Sequence, residues 1–391
     1  MRRSFAVLFV CLLALPVLAE EPECPFDMSK TVVQYESSSP GLGYSMFTPL
    51  RKDGRKAGFN VHVVQLVLAD PFAVQVLRLR SEDMQVEKLV KAVEKAGTKV
   101  FAAINGDYFS AFEEGKHPLG LHVSGGQMLR EPSGTTTFAV AADGSLQMAA
   151  PKLVANAQVG GVDFPISGYN QLAPRNGVAL YFGRFAKEVL SQSKCKAIVL
   201  RTDGNSYVNH PVAATITRTI QSARKFPLAD TESALVVCSQ ELVELPQVGD
   251  EVILDLRLKG FSGPIVEAVS GGPRILRTGD AVYEGKAEGF PLWRRGYISG
   301  THPRTALGMD PAGSTLFLLV AEGRPGGLDA GGAACVLKGL GAADAMLLDG
   351  GGSAVMVWDG RIVNRPHAAH QRTNRRVANA LAIISTADDS E

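Results

Sequence analysis

The sequence predicts an α+β protein, rich in strands that form mixed sheets, with a few helices and its polar chemistry gathered at strand ends. Three observations carry this. Ten strand-like runs span the chain: NVHVVQLVL, FAVQVLRL, KVFAAI, TTFAVAA, ALVVCS, EVILDLRL, TLFLLVA, AMLL, AVMVW and VANALAII. Many are bounded by turn pairs such as Gly125-Gly126, Asp143-Gly144 and Asp359-Gly360, which favour tight hairpins. Helical periodicity is scarce by comparison.

The chain opens with Arg2 and Arg3, an apolar run from Phe5 to Leu15, and Val17-Leu18-Ala19, the pattern of a secretory signal peptide over residues 1–19. Its apolar core is too short to span a bilayer, and no later stretch is long enough for stable membrane insertion. The expected product is therefore a soluble exported protein, periplasmic or extracellular, starting near Glu20. Residues 20–59 form an N-terminal segment, and 60–385 the main domain.

Export makes the cysteines informative. The chain has five, and loss of Cys11 with the signal leaves Cys24, Cys195, Cys238 and Cys335, an even set in a disulfide-permissive compartment. Three pairings are open, of which Cys195 with Cys238 is favoured because both lie in strand-like runs of one region. Structural zinc is the weaker reading, since no CxxC spacing occurs.

Two segments carry a helical pattern. In MQVEKLVKAVEKAG, Val86, Leu89, Val90 and Val93 share one face and Gly97 supplies the stop. A glycine-rich second helix is expected from Leu328 to about Leu340, ending at Gly341. Each precedes a strand, KVFAAIN or AMLLD, which suggests two similar α+β halves. The stretch from about 151 to 262 differs from its flanks and is a candidate inserted subdomain.

Charge is nearly balanced, with 40 Lys and Arg against 39 Asp and Glu, and the basic residues are scattered. A nucleic-acid partner is thus not expected. Oligomeric state is not legible.

Five polar, glycine-containing segments close strand-like runs: INGDYF (104–109), SGGPRIL (270–276), HPRTALGMD (302–310), VAEGR (320–324) and LLDGGGS (347–353). Asp107 and Asp349 each follow a buried run. Either could be a turn residue bonding its own backbone, but two carboxylates at strand ends also make an acid/base or nucleophile pair, with Glu322 a third candidate. Arg274 and Arg304 lie beside prolines, as surface ion pairs or as fixed partners of a phosphate. Gly350, Gly351 and Gly352 cost backbone entropy and pack nothing, so a backbone anion cradle with the Ser353 hydroxyl is the functional reading. His117, His122 and His302 are too dispersed to argue for a metal. No cofactor is required, although a structural calcium remains compatible.

Together, INGDYF, PLGLHVSGGQ, SGGPRIL, HPRTALGMD, LGAADAMLLDGGGSAVM and the closing NRP and RRVANALAI resemble, in order, the phosphodiester glycosidase family, over about residues 60–385. The resemblance implies hydrolysis of the anomeric C–O bond of a sugar-1-phosphodiester, here on an envelope or exopolysaccharide glycan. It falls on Asn105, Gly106, Asp107, Gly271, Gly272, Arg304, Thr305, Asp349, Gly350, Gly351, Gly352, Ser353, Arg376 and Asn379. One position departs: the family often has Asp-Gly-Arg where this chain has Glu322-Gly323-Arg324. A metal-dependent phosphodiesterase and a non-catalytic polysaccharide-binding factor are the competing readings. Sparse histidines weigh against the first.

Overall fold

The computed structural model describes residues 24–69, 71–78, 84–109, 117–183, 185–186, 188–202, 208–238, 244–282, 285–290, 300–323, 326–366 and 375–387. The expected signal segment and its cleavage point lie outside them. Each of the ten strand-like runs contributes a strand, and helices are two among the described residues.

The strands form four assemblies. An eight-stranded sheet runs Glu36–Ser39, Leu42–Phe47, Val61–Val67, Thr315–Ala321, Arg304–Met309, Asp344–Leu347, Arg274–Arg277 and Asp280–Ala281. A five-stranded sheet runs Arg361–Ile362, Met356–Trp358, Val100–Asn105, Ala380–Ser385 and Phe72–Leu77. Their facing side chains, among them Val64, Leu318, Leu307, Ile104, Met356 and Leu381, form one apolar core. This is why VFAAIN reads as a continuous apolar run: all six residues are buried. A second five-stranded sheet, in the order Gln127–Arg130, His122–Ser124, Ile265–Ser270, Thr137–Ala141 and Leu146–Ala149, closes one side of that core.

The fourth assembly is a closed seven-stranded barrel made of strands between Lys152 and Lys259. It contains the parallel pairing of Val162–Tyr169 with Val178–Phe182 that makes the fold mixed. Closure leaves no free edge. Alternating burial along Glu251–Lys259 reflects an inside and an outside. The hairpin pairs act as expected: Gly125-Gly126 and Asp359-Gly360 both take positive φ at their two positions, the geometry of a type I′ turn.

The first helix, α1, spans Val86–Lys95 and buries Val86, Leu89 and Val90, with Gly97 in the left-handed region just past its end. The second, α2, spans Ala330–Gly339, and the Asp329 side chain caps it by accepting from Gly332 N at 2.7 Å. Its glycines have a packing reason. A Cβ at Gly339 would lie 2.6 Å from Met28 Cβ, so the helix is stripped of side chains where the N-terminal segment crosses it. A disulfide between Cys24 and Cys335 ties the same two elements.

The other disulfide joins Cys195 to Cys238 within the barrel, closing 43 residues of sequence. Replacing both by Ala should lower unfolding free energy by about 2–4 kcal/mol through the freer unfolded chain. Urea denaturation of oxidised wild type beside the double variant measures this.

Candidate active site

The two helix–strand units end at one place. The strand Val100–Asn105 runs into Gly106-Asp107, and Asp344–Leu347 into Leu348-Asp349, although the strands belong to different sheets. The loops are stitched together across the seam: Asn105 Nδ2 donates to the Asp349 carbonyl at 2.6 Å, and Asp349 N donates to the Gly106 carbonyl at 3.1 Å. Asn105 is fully buried, and its Oδ1 accepts from Thr305 Oγ1 at 2.7 Å and from Val355 N at 3.1 Å. One amide side chain therefore fixes three segments. Asn105→Asp removes the donor and should lower kcat by about a hundredfold through misplacement of Asp349, with circular dichroism unchanged; steady-state kinetics checks it.

Asp107 is 2 % exposed. Its main-chain N–H donates to Asn379 Oδ1 at 2.8 Å, and Asn379 Nδ2 in turn bonds His122 Nδ1 at 2.8 Å. Gly106 is required by closeness, since a Cβ there would collide with Asn379 Oδ1. The Asp107 carboxylate accepts from Gly120 N at 2.9 Å. Burial pushes this carboxyl up to about 7; the Gly120 and Tyr108 amides oppose the rise, the Asp349 charge adds to it, and Arg130 opposes it.

Asp107 opens onto a cavity of about 220 Å³, bordered by Tyr108, Gly120, Ser133, Thr135 and Glu288 among others. Two larger cavities, of about 310 and 350 Å³, each have a single carboxylate residue in their lining. Tyr108 is held by its hydroxyl on the Gly272 carbonyl at 2.9 Å and edge-on against Phe290. Glu288 is buried, accepting from Thr136 N at 2.7 Å, Thr136 Oγ1 at 2.8 Å and Arg274 N at 2.7 Å. Gly271 and Gly272 leave no room for side chains: a Cβ would meet the Leu347 carbonyl or Glu288 Oε2.

Other expected residues serve the frame. Arg304 is 1 % exposed and donates from Nε to the Leu328 carbonyl at 2.9 Å and from Nη2 to the Gly300 carbonyl at 2.8 Å. The Arg274 guanidinium pairs with Asp344 and also bonds the Leu276 and Met148 carbonyls. Both are therefore better placed to brace loops than to grip phosphate. Thr305 lies behind Asn105. Arg376 is exposed.

The glycine run departs from an open anion cradle. Gly350 N donates to Asp349 Oδ1 at 2.9 Å, Gly351 N to the Pro303 carbonyl at 2.8 Å and Ser353 N to the Gly350 carbonyl at 3.1 Å. Residues Gly351–Ser353 make a single 3₁₀ turn, with Gly351 at positive φ. Ser353 Oγ is buried with no hydrogen-bond partner among the described residues. Glu322 stands apart from the 220 Å³ cavity; its Oε1 meets His62 Nε2 at 3.2 Å and Arg365 N at 2.9 Å, and Tyr44 Oη bonds His62 Nδ1 at 2.8 Å. Among the described residues no group of three His, Cys, Asp or Glu converges as metal ligands.

Glu288 and Arg130 were not singled out by sequence. Glu288 sits in GKAEGF, a turn with no strand-like run to mark it. Arg130 ends the hairpin strand Gln127–Arg130, half-buried, and its charge reaches Asp107. Gly120 was within a quoted motif, but its role as a donor needed the fold.

No curated protein matches the chain. Solved structures share the fold: a hypothetical protein from Synechocystis has TM-score 0.64 and 18% identity, covering 90% of this chain, which spans 64% of that protein. A putative exported protein from Burkholderia pseudomallei has TM-score 0.65 and 15% identity, covering 93% and 99% of the two chains. The catalytic domain of zebrafish N-acetylglucosamine-1-phosphodiester alpha-N-acetylglucosaminidase, auto-inhibited by its pro-peptide, has TM-score 0.50 and 17% identity, with 90% and 87% covered. A phosphodiester glycosidase profile matches residues 183–384, just over half of the sequence and including the Asp349 loop and Asn379. The chain belongs to the phosphodiester glycosidase family.

Proposed function

We propose that the protein is an exported hydrolase that cleaves the anomeric C–O bond of a sugar-1-phosphodiester on an envelope or exopolysaccharide glycan. One observation carries the reading: in a chain of this family, Asp107 lies buried on a cavity with its carboxyl raised to about 7 and the Asp349 charge beside it. A carboxyl tuned there can take a proton near neutral pH. Export is supported by the two disulfides and the leader-like opening; no helix among the described residues is long and apolar enough to cross a membrane.

In this reading the glycosyl unit occupies the 220 Å³ cavity. Asp107 takes a proton from water as the water oxygen bonds to the anomeric carbon. The bond from that carbon to the phosphate oxygen breaks, and its electron pair leaves on the phosphomonoester. The leaving phosphate has a second pKa of about 6, so it needs little help from an acid. Asp349 stabilises positive charge developing on the sugar, and the Arg130 charge, which reaches Asp107, favours the departing phosphate. Glu322, bonded to His62 and the Arg365 amide, serves the frame.

Hydrolysis of an N-acetylglucosamine-1-phosphodiester in oxygen-18 water tests which bond breaks. Label is expected on the sugar hydroxyl and none in the phosphomonoester. Label in the phosphate identifies attack at phosphorus and overturns the mechanism.

A further inference from the structure

We infer that the 350 Å³ cavity bordered by Glu131, Pro132, Leu153, Ser167 and Tyr169 is a second saccharide subsite, taking a neutral hexose of the glycan carried on the leaving phosphate. The inference rests on the proposed reaction for its link to turnover, and on the cavity itself for sugar binding.

The two cavities share a wall. Ser133 and Thr135 line the cavity that holds Asp107, whereas Pro132 and Gly134 line the second one. Successive residues of one segment, which bends at Gly134, thus line the two cavities in turn, and the linings approach to within about one residue length, ~3.8 Å. Arg130 precedes this wall, and its charge is felt at Asp107. A ligand with its glycosyl end beside Asp107 would lead its phosphate past Arg130 and its next sugar onto the barrel face.

That face is built for hydroxyl groups. Tyr169 is 4 % exposed, and its hydroxyl has no hydrogen-bond partner among the described residues; nor does the buried Glu131 Oε2. Glu131 Oε1 accepts from Gln171 Nε2 at 3.3 Å, which holds the carboxylate in place. Burial pushes the Tyr169 phenol up, and the Glu131 charge adds to the shift, so the hydroxyl keeps its proton as a donor. A phenol donor and a carboxylate acceptor in one cavity lining match hydroxyls of a pyranose. Pro132, Pro151, Leu153 and Ile166 supply apolar surface for its C–H face. Glu131 and Lys152 in the lining offset each other in charge, so neither an anionic nor a cationic group is favoured and the neutral hexose is the fitting class.

The test uses Tyr169→Phe and Glu131→Gln in the full mature chain, with N-acetylglucosamine-1-phosphate esterified either to methanol or to the 6-hydroxyl of maltose. Each variant should raise KM for the maltose ester at least about fivefold, as expected for loss of one good hydrogen bond, and leave the methyl ester unchanged. Equal effects on both esters, or none on either, overturn the subsite. If neither ester turns over in wild type, the proposed reaction fails and the subsite is judged separately by calorimetric titration with maltose, lactose, cellobiose and chitobiose. Binding that Tyr169→Phe weakens supports it, and absence of binding to all four overturns it.

Discussion

Asp107→Asn is expected to lower kcat by at least ~10²–10⁴-fold, the range associated with a positioned general base. The same variant should shift the pH dependence of stability in the opposite sense to its damage. Asp107 is protonated in the native protein up to about 7, whereas an unfolded Asp gives up its proton near 3.8. Between those values the native state holds more protons than the unfolded state, so stability falls as pH rises. The stabilisation is fully present below about 3.8 and is lost by the time pH passes about 7; moving a carboxyl over that span corresponds to about 4 kcal/mol. Asn cannot ionise. From pH 5 to 8 the wild type should therefore lose stability relative to Asp107→Asn, as read from urea midpoints. Wild-type kcat/KM should rise over the same interval to a plateau above about 7. A midpoint difference that does not change with pH would place the Asp107 ionisation outside this range, and full turnover in the variant would remove it from catalysis.

Arg304 should give the largest stability loss among the basic residues discussed. Its guanidinium is buried on the Leu328 and Gly300 carbonyls, so Arg304→Ala removes both of these bonds, leaves the Leu328 carbonyl with His302 N as its donor, and opens a void; the expected cost is about 3–5 kcal/mol. Arg304→Lys keeps a cation that can reach one of these carbonyls and should cost roughly half as much. The KM of surviving folded Arg304→Lys protein should stay near wild type. A denaturation midpoint unchanged from wild type, combined with a raised KM for phosphodiester, would instead return Arg304 to the phosphate.

These contrasts mark where sequence reading reaches its limit. The strands were legible because burial on two faces demands continuous apolar runs, as in VFAAIN, and burial on one face demands alternation, as in EVILDLRL. α1 was legible from one apolar stripe. The Cys195–Cys238 pairing was favoured because both residues lie in runs of a single region, and it is formed. The meeting of Asp107 and Asp349 was expected only as a pair of strand ends; that Asn105 joins them depends on two sheets docking, which no local pattern encodes. Arginine roles were least legible. An arginine beside a proline has the same sequence appearance whether its partners are carbonyls or a phosphate, and only burial with named acceptors separates the cases. Glu288 had no signal at all, because its importance comes from Thr136 and the Arg274 amide, both distant in sequence.

The seam between the sheets also constrains when the molecule can become competent during synthesis. Asn105 reaches Asp349 across 244 residues, and Asp107 reaches Asn379 across 272. The strand Ala380–Ser385 is not an edge; it is inserted between Val100–Asn105 and Phe72–Leu77. A nascent chain that lacks it has a gap in the middle of a sheet, with Val100–Asn105 and Phe72–Leu77 each missing a neighbour. Such non-local closure makes for high contact order and slow folding. During synthesis the reactive centre would thus stay unassembled, dependent on protection of exposed strand edges until residues 379–385 emerge.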